Sequence, residues 1–194
     1  PLVLACMAAY GLAWVPFRWS NSLFLLIFAL QVVPLQMALL PLLKLFNKGW
    51  GFGDVTLIPA LNVGGSSFVP LWIAHTMFAL PLAIFLIHNF ISQLPKDLFE
   101  AARVDGASHF LIFTRIVLPL SVPAIASFAI FQFLWVWNDL LVATIFAPSS
   151  SLPLTQSLNS LSGTWGNQWF LQSAGAFISI IVPLIVFFSL QRFF

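Results

Sequence analysis

The chain has 194 residues, 61% of them hydrophobic and 6% charged, with a mean hydropathy of +1.04 and a formal charge of +2. Soluble domains average roughly half apolar residues, and so few polar side chains leave large apolar patches in water, so a water-soluble globule is excluded. The small, scattered charge excludes a nucleic-acid surface, the single Cys6 excludes an intrachain disulfide, and no cysteine and histidine cluster has metal-ligand spacing.

A helix that crosses the hydrocarbon core of a bilayer needs about 20 largely apolar residues. Five segments of the chain meet that need: 1–17, 22–46, 68–90, 116–146 and 170–190. An all-α integral membrane bundle follows. The first segment is expected to be a span already under way at Pro1. The fourth exceeds the membrane thickness, so it is expected to tilt, to protrude, or to bend at Pro119 and Pro123. Gly11, Pro34, Pro41, Pro70, Pro81 and Pro183 interrupt the spans. In lipid, neighbouring helices re-satisfy the carbonyls that such residues free, so bent spans around a cavity are expected.

Three stretches are polar enough to lie outside the hydrocarbon. Residues 47–67 are rich in glycine, residues 147–169 are rich in serine, asparagine and glycine, and residues 92–115 hold half of the chain's charges. With five alternating spans, Arg18, Lys96, Arg103, Arg115 and Arg192 share one side, and Lys44 and Lys48 the other. The positive-inside rule puts the charged segment in the cytoplasm and residues 147–169 outside.

The charged segment, QLPKDLFEAARVDGASHF, reads as a short helix between two spans. Pro95 suits a first helical turn, Asp97 and Glu100 favour the positive end of the helix dipole, and Gly106 suits a stop. Three- and four-residue spacing puts Leu94, Leu98, Ala101, Ala102 and Asp105 near one face, with Lys96, Glu100 and Arg103 elsewhere. Small alanines admit a close partner surface. An amphipathic turn on lipid headgroups is the other reading, but the bulky apolar residues of such an anchor are missing at Ala101 and Ala102.

Asp139 is the only carboxylate inside an apolar run, where an ionised side chain costs about 2.5 to 3.5 kcal/mol on insertion scales. It lines a solute path, or it sits at an external mouth ringed by Trp135 and Trp137; both readings fit. Gln31, Gln36, Gln132, His75 and Asn138 are further candidates for hydrogen bonds to a neutral sugar, with Trp72 or Phe78 stacking on its ring. Bonds to neighbouring helices are the commoner role of such side chains in a membrane. The chain has no phosphate-cradling glycine loop, no nucleophile elbow and no paired carboxylates, so no catalytic residue is assigned. Transport is the expected role, by an ion-coupled carrier, by a channel, or by a subunit moved by a separate motor.

Glu100-Ala101-Ala102, three residues, Gly106, nine residues, then Ile116-Val117-Leu118-Pro119 match the pattern EAA-x3-G-x9-I-x-LP. This resembles the coupling loop of the membrane subunits of ATP-binding-cassette importers. Residues 99–141, including the triplet Trp137-Asn138-Asp139, look like the equivalent stretch of carbohydrate-importer permeases of the maltose type, and LQRFF looks like the end of their last span. The resemblance implies a type I importer fold of six spans, so an N-terminal span and a short C-terminal tail are expected outside this sequence. It implies that Leu98, Phe99, Glu100, Ala101, Ala102, Arg103, Asp105 and Gly106 form a cytoplasmic coupling helix for an ATPase subunit. Glu100 would pair there with a basic group, and Gly106 would make the turn.

The same resemblance implies the partners: a second permease subunit of a different chain, two ATPase subunits that carry ATP and Mg, an extracytoplasmic solute-binding protein, and lipid. It places the chain in a bacterial or archaeal plasma membrane and makes the solute a sugar or related polyol. Leu158, Asn159, Ser160, Gly163 and Trp165 become candidates for contact with the binding protein, the alternative being a plain solvated connector.

Overall fold

The computed structural model describes residues 1–52, 55–161 and 169–193. Helices dominate. In chain order they are α1 (Leu2–Trp14), α2 (Ser20–Leu30), α3 (Leu35–Lys48), α4 (Val69–Ile91), α5 (Lys96–Val104), α6 (His109–Ile112), a π-helical turn at Phe113–Val117, α7 (Leu118–Leu120), α8 (Val122–Trp137), α9 (Leu141–Phe146), α10 (Leu154–Ser160), α11 (Trp169–Ser179) and α12 (Ile181–Leu190). The glycine-rich stretch after α3 adds something that composition did not suggest, an antiparallel hairpin of β1 (Trp50–Phe52) and β2 (Val55–Ile58).

Two described helices, Val69–Ile91 and Trp169–Leu190, are long and apolar enough to cross a membrane, and up to four count if each of two bent pairs is one span. Prolines explain where the expected spans break. α1 stops at Trp14 because Val15 precedes Pro16 and is pushed to extended geometry (φ −98°, ψ 113°). The expected span 22–46 is not continuous: Pro34, in extended geometry, ends one helix and caps the next. The expected span 116–146 is also divided. A 71° bend falls at Ser121, between Pro119 and Pro123, where two missing N–H groups interrupt the ladder. A second break at Asn138–Leu140 separates α8 from α9.

The chain divides into two compact units. The first comprises Pro1–Val32, Ala79–Phe131 and Leu190–Phe194. Its core joins the alanine-rich face of α1 (Ala5, Cys6, Ala9) to Ala83, Ile87 and Ile91 of α4 and to Phe99 and Ala102 of α5. Small residues on α1 and α4 let the backbones approach, as helix contacts in lipid require. The second unit comprises Val33–Phe78 and Gln132–Ser189, with a core of Leu39, Leu42 and Phe46 from α3, Leu71 and Ala74 from α4, and Val142 and Phe146 from α9. No described residue of α11 or α12 is buried.

Candidate functional site

The charged loop of the first unit is built around α5. Pro95 stands just before the helix as its N-cap residue (φ −57°, ψ 129°), one position earlier than the first-turn place expected. Asp97 lies in the first turn and Arg103 in the last, each at the favourable end of the dipole. At the other end Gly106 adopts φ +78°, its N–H bonds to Arg103 O at 3.0 Å, and Ala107 N–H bonds to Ala102 O at 2.9 Å. These two bonds make a Schellman cap, and the left-handed conformation is why glycine serves there.

The faces of α5 differ from the expected arrangement. Phe99 (2% exposed) and Ala102 point into the unit, whereas Leu98, Glu100, Ala101, Arg103, Val104 (87% exposed) and Asp105 point out. Ala102 therefore does not share a free face with Leu98, Ala101 and Asp105. The reason is a stack: Phe99 lies on Trp14 with ring centroids 3.6 Å apart and planes within 14°. Glu100 has no ion-pair partner among the described residues. Three exposed apolar side chains, Val104, Phe110 and Leu111, extend the outward surface beyond what the motif indicated. A cavity of about 380 Å³ lies behind the Gly106 turn, lined by Asp105, Ala107, Leu111, Ile112 and Arg115 among others.

In the second unit the triplet Trp137-Asn138-Asp139 forms the junction between α8 and α9. Trp137 Nε1 donates to Ser179 O at 3.1 Å. Asn138 Nδ2 turns back to Leu134 O at 2.9 Å, and its side chain stays exposed. Asp139, one residue before the N-cap Leu140, holds the first turn of α9: its Oδ1 accepts from Val142 N–H at 3.2 Å and its Oδ2 from Ala143 N–H at 2.8 Å. His75 Nε2 stands 3.5 Å from the same Oδ2, and Thr155 Oγ1 donates to the backbone carbonyl of Asp139.

His75, Asp139 and Thr155 line one cavity of about 240 Å³ together with Phe133 and Trp137. The other expected path residues are not among its lining. Gln36 is exposed on α3, and Gln132 holds a buried Oε1 with no hydrogen-bond partner among the described residues. Of the candidates in the uncharged loop, Leu158, Asn159 and Ser160 lie at the end of α10, while Gly163 and Trp165 fall outside the described residues. Leu158 packs closely on α11, where a side chain at Gly175 would displace the tip of the leucine.

Among known families, the one described as "Binding-protein-dependent transport system inner membrane component" matches residues 2–194. The chain belongs to this family. As a transport-system membrane component it is 50% identical over 196 residues to the osmoprotective compounds uptake permease protein GgtD of Synechocystis sp., covering 100% of this chain and 61% of that protein. It is 51% identical over 195 residues to the alpha-glucoside transport system permease protein AglG of Rhizobium meliloti, covering 100% of this chain and 49% of that one. The chain thus spans about half to three fifths of these relatives. A bacterial ABC transporter involved in import of the acidic polysaccharide alginate shares the fold, with a TM-score of 0.76 at 14% identity over 98% of this chain and 72% of that chain. The family membership and this likeness establish the mostly helical type I importer architecture that the EAA resemblance implied, to which the hairpin of β1 and β2 is an addition.

Proposed function

We propose that the protein is a permease subunit of an ATP-driven importer, forming half of the path for a sugar or related polyol and coupling that path to separate ATPase subunits. The observation that carries this reading is α5: a nine-residue helix, closed at its C-terminal end by the Gly106 turn, that buries Phe99 and Ala102 and leaves Leu98, Glu100, Ala101, Arg103 and Val104 exposed. A short rigid helix with an anchored back and a free front suits a handle that another protein moves. ATP and Mg belong to the two ATPase subunits, a second and different permease chain completes the path, and a solute-binding protein delivers the solute from outside. The exposed α11 and α12 suit lipid and that second chain.

The path reading draws on the His75 cavity, whose aromatic wall of Phe133 and Trp137 and few polar groups suit a neutral polyhydroxyl solute. Asp139 serves it by orienting His75 and holding the start of α9. Gln132, Asn138 and Gln36 are assigned to the same path at other depths. The end of α10, with Leu158, Asn159 and Ser160, together with Gly163 and Trp165, is assigned to the binding protein. The names of the relatives support the solute class, and the cell is a bacterium or an archaeon with the protein in its plasma membrane.

The test is purification of the full-length protein with its partners, reconstitution in liposomes, and uptake assays with labelled neutral alpha-glucosides and polyols. Uptake that requires ATP hydrolysis by co-purified subunits is the expected result. Accumulation driven by a proton gradient with no ATPase subunit present would overturn the proposal.

A further inference from the structure

The free front of α5 is only useful if its back is tied to something that spans the membrane. Backbone alone gives a poor tie. α5 is reached through residues 92–95 and left through Gly106, both of them turns about which a short helix can rotate. The chain supplies a cross-link at the end of α1. The carbonyl of Ile91 closes α4, and its helical donor four residues on is Pro95, which has no N–H. Trp14 Nε1 donates to that oxygen at 3.1 Å, beside Leu94 N–H at 3.2 Å. The same indole lies flat on Phe99 of α5. One side chain thus touches the last turn of α4 and the buried face of α5. A second hold lies past the Gly106 turn, where the Tyr10 hydroxyl and His109 Nδ1 are 3.0 Å apart.

We propose that Trp14 is the positioning residue through which displacement of α5 reaches α1 and α4. The inference rests on the reading of α5 as the handle for ATPase subunits. An aromatic stack and a hydrogen bond on one rigid ring restrain the three helices against one another, so a push on Leu98, Glu100 or Val104 is carried into the membrane as a movement of α1 and α4. Without the indole, α5 turns about its two flanking loops, and the work of the motor is lost as local rotation. Simple packing by Trp14 makes a different forecast: every activity falls together as the assembly loosens.

The experiment uses the full-length protein with its second permease, ATPase subunits and binding protein in liposomes. Two quantities are read on the same sample: ATP hydrolysed, and uptake of whichever labelled neutral alpha-glucoside or polyol the wild type accumulates. In Trp14→Ala, hydrolysis is expected within about twofold of wild type while solute carried per ATP falls about tenfold, inside the range of coupling between distant sites. Trp14→Phe keeps the stack and removes the donor, and a fall of about threefold in the same ratio is expected, the scale of one hydrogen bond between membrane helices. An unchanged ratio in either assembled variant overturns the proposal, as does a proportional fall of uptake and hydrolysis. If Trp14→Ala does not assemble, Trp14→Phe decides, and its failure to assemble as well assigns the residue to folding and overturns the proposal. Failure of the parent reading shows in the wild type instead, as uptake without ATP or the absence of ATPase subunits, and removes this inference with it.

Discussion

Trp14 and Trp137 perform the same chemical task in different units of the molecule. Each indole N–H is given to a carbonyl whose helical donor four residues on is a proline: Ile91 before Pro95 for Trp14, Ser179 before Pro183 for Trp137. Within hydrocarbon such an oxygen must find a donor in the protein, and at Ile91 the indole adds to the Leu94 N–H already there. The surroundings then diverge. Beside Trp14 the polar side chains Glu100, Arg103 and Asp105 point outward, whereas beside Trp137 the polar groups of Asn138, Asp139 and Thr155 are turned onto backbone. Polar groups left outward by a well-anchored helix are offered to a partner. Polar groups consumed by backbone hold a junction together.

The largest effect that sharpens this contrast is expected at the anchor. Phe99→Ala removes a buried ring and its stack on Trp14, and large-to-small aromatic changes cost about 3–5 kcal/mol. Amide hydrogen exchange across Lys96–Val104 should accelerate sharply in the assembled complex, and unchanged protection would show that α5 is held by something other than its buried face. Next comes Asp139→Ala, which removes a cap worth up to about 2 kcal/mol. It should lower the thermal midpoint, while Asp139→Asn, which keeps an acceptor oxygen, should retain most of the midpoint and most of the uptake. Loss of uptake in an intact Asp139→Asn assembly would make the charge itself part of the path and break the contrast between the two regions.

The sequence alone made the extent of α5 legible, because Pro95 and Gly106 mark its ends by chain geometry that needs no tertiary knowledge. Which face turns inward was not legible. Leu98, Ala101 and Asp105 share a helical stripe by spacing, yet Phe99 is the residue that Trp14 accepts, and Trp14 is remote in the chain. Asp139 was legible as an isolated carboxylate in an apolar run but not as a cap, since that requires α8 to stop at Trp137 with no proline or glycine to announce it. The break of the second span was open to reading at Pro34, where a largely apolar run interrupted only by Gln31 and Gln36 outweighed the signal. The hairpin at residues 50–58 was hidden by its short strands and by the glycines around them.

A smaller effect is expected at the turn after α5. Gly106→Ala meets no atom within 4 Å, so its only cost is the left-handed backbone at φ +78°, about 1–2 kcal/mol for a residue with a Cβ. The Schellman cap should loosen and the ends of α5 fray, with a modest fall in solute carried per ATP and a normal fold. An unaffected ratio with a lowered thermal midpoint would confine Gly106 to folding.

The smallest effect tests the comparison most directly. Trp137→Phe keeps a ring beside Phe133, whose centroid is 5.5 Å away, and removes only the donor to Ser179 O. Hydrogen bonds between membrane helices average about 0.6 kcal/mol in double-mutant cycles, because the freed group finds other partners. A slight drop in thermal midpoint is therefore expected, with uptake and ATP hydrolysis both kept and their ratio unchanged. The same conservative change at Trp14 is expected to lower that ratio, because there the lost donor is the tie between α4 and the ring stacked on α5. Equal behaviour of the two variants would mean that the Trp14 donor, like the Trp137 donor, only repairs a proline-freed carbonyl and carries no motion.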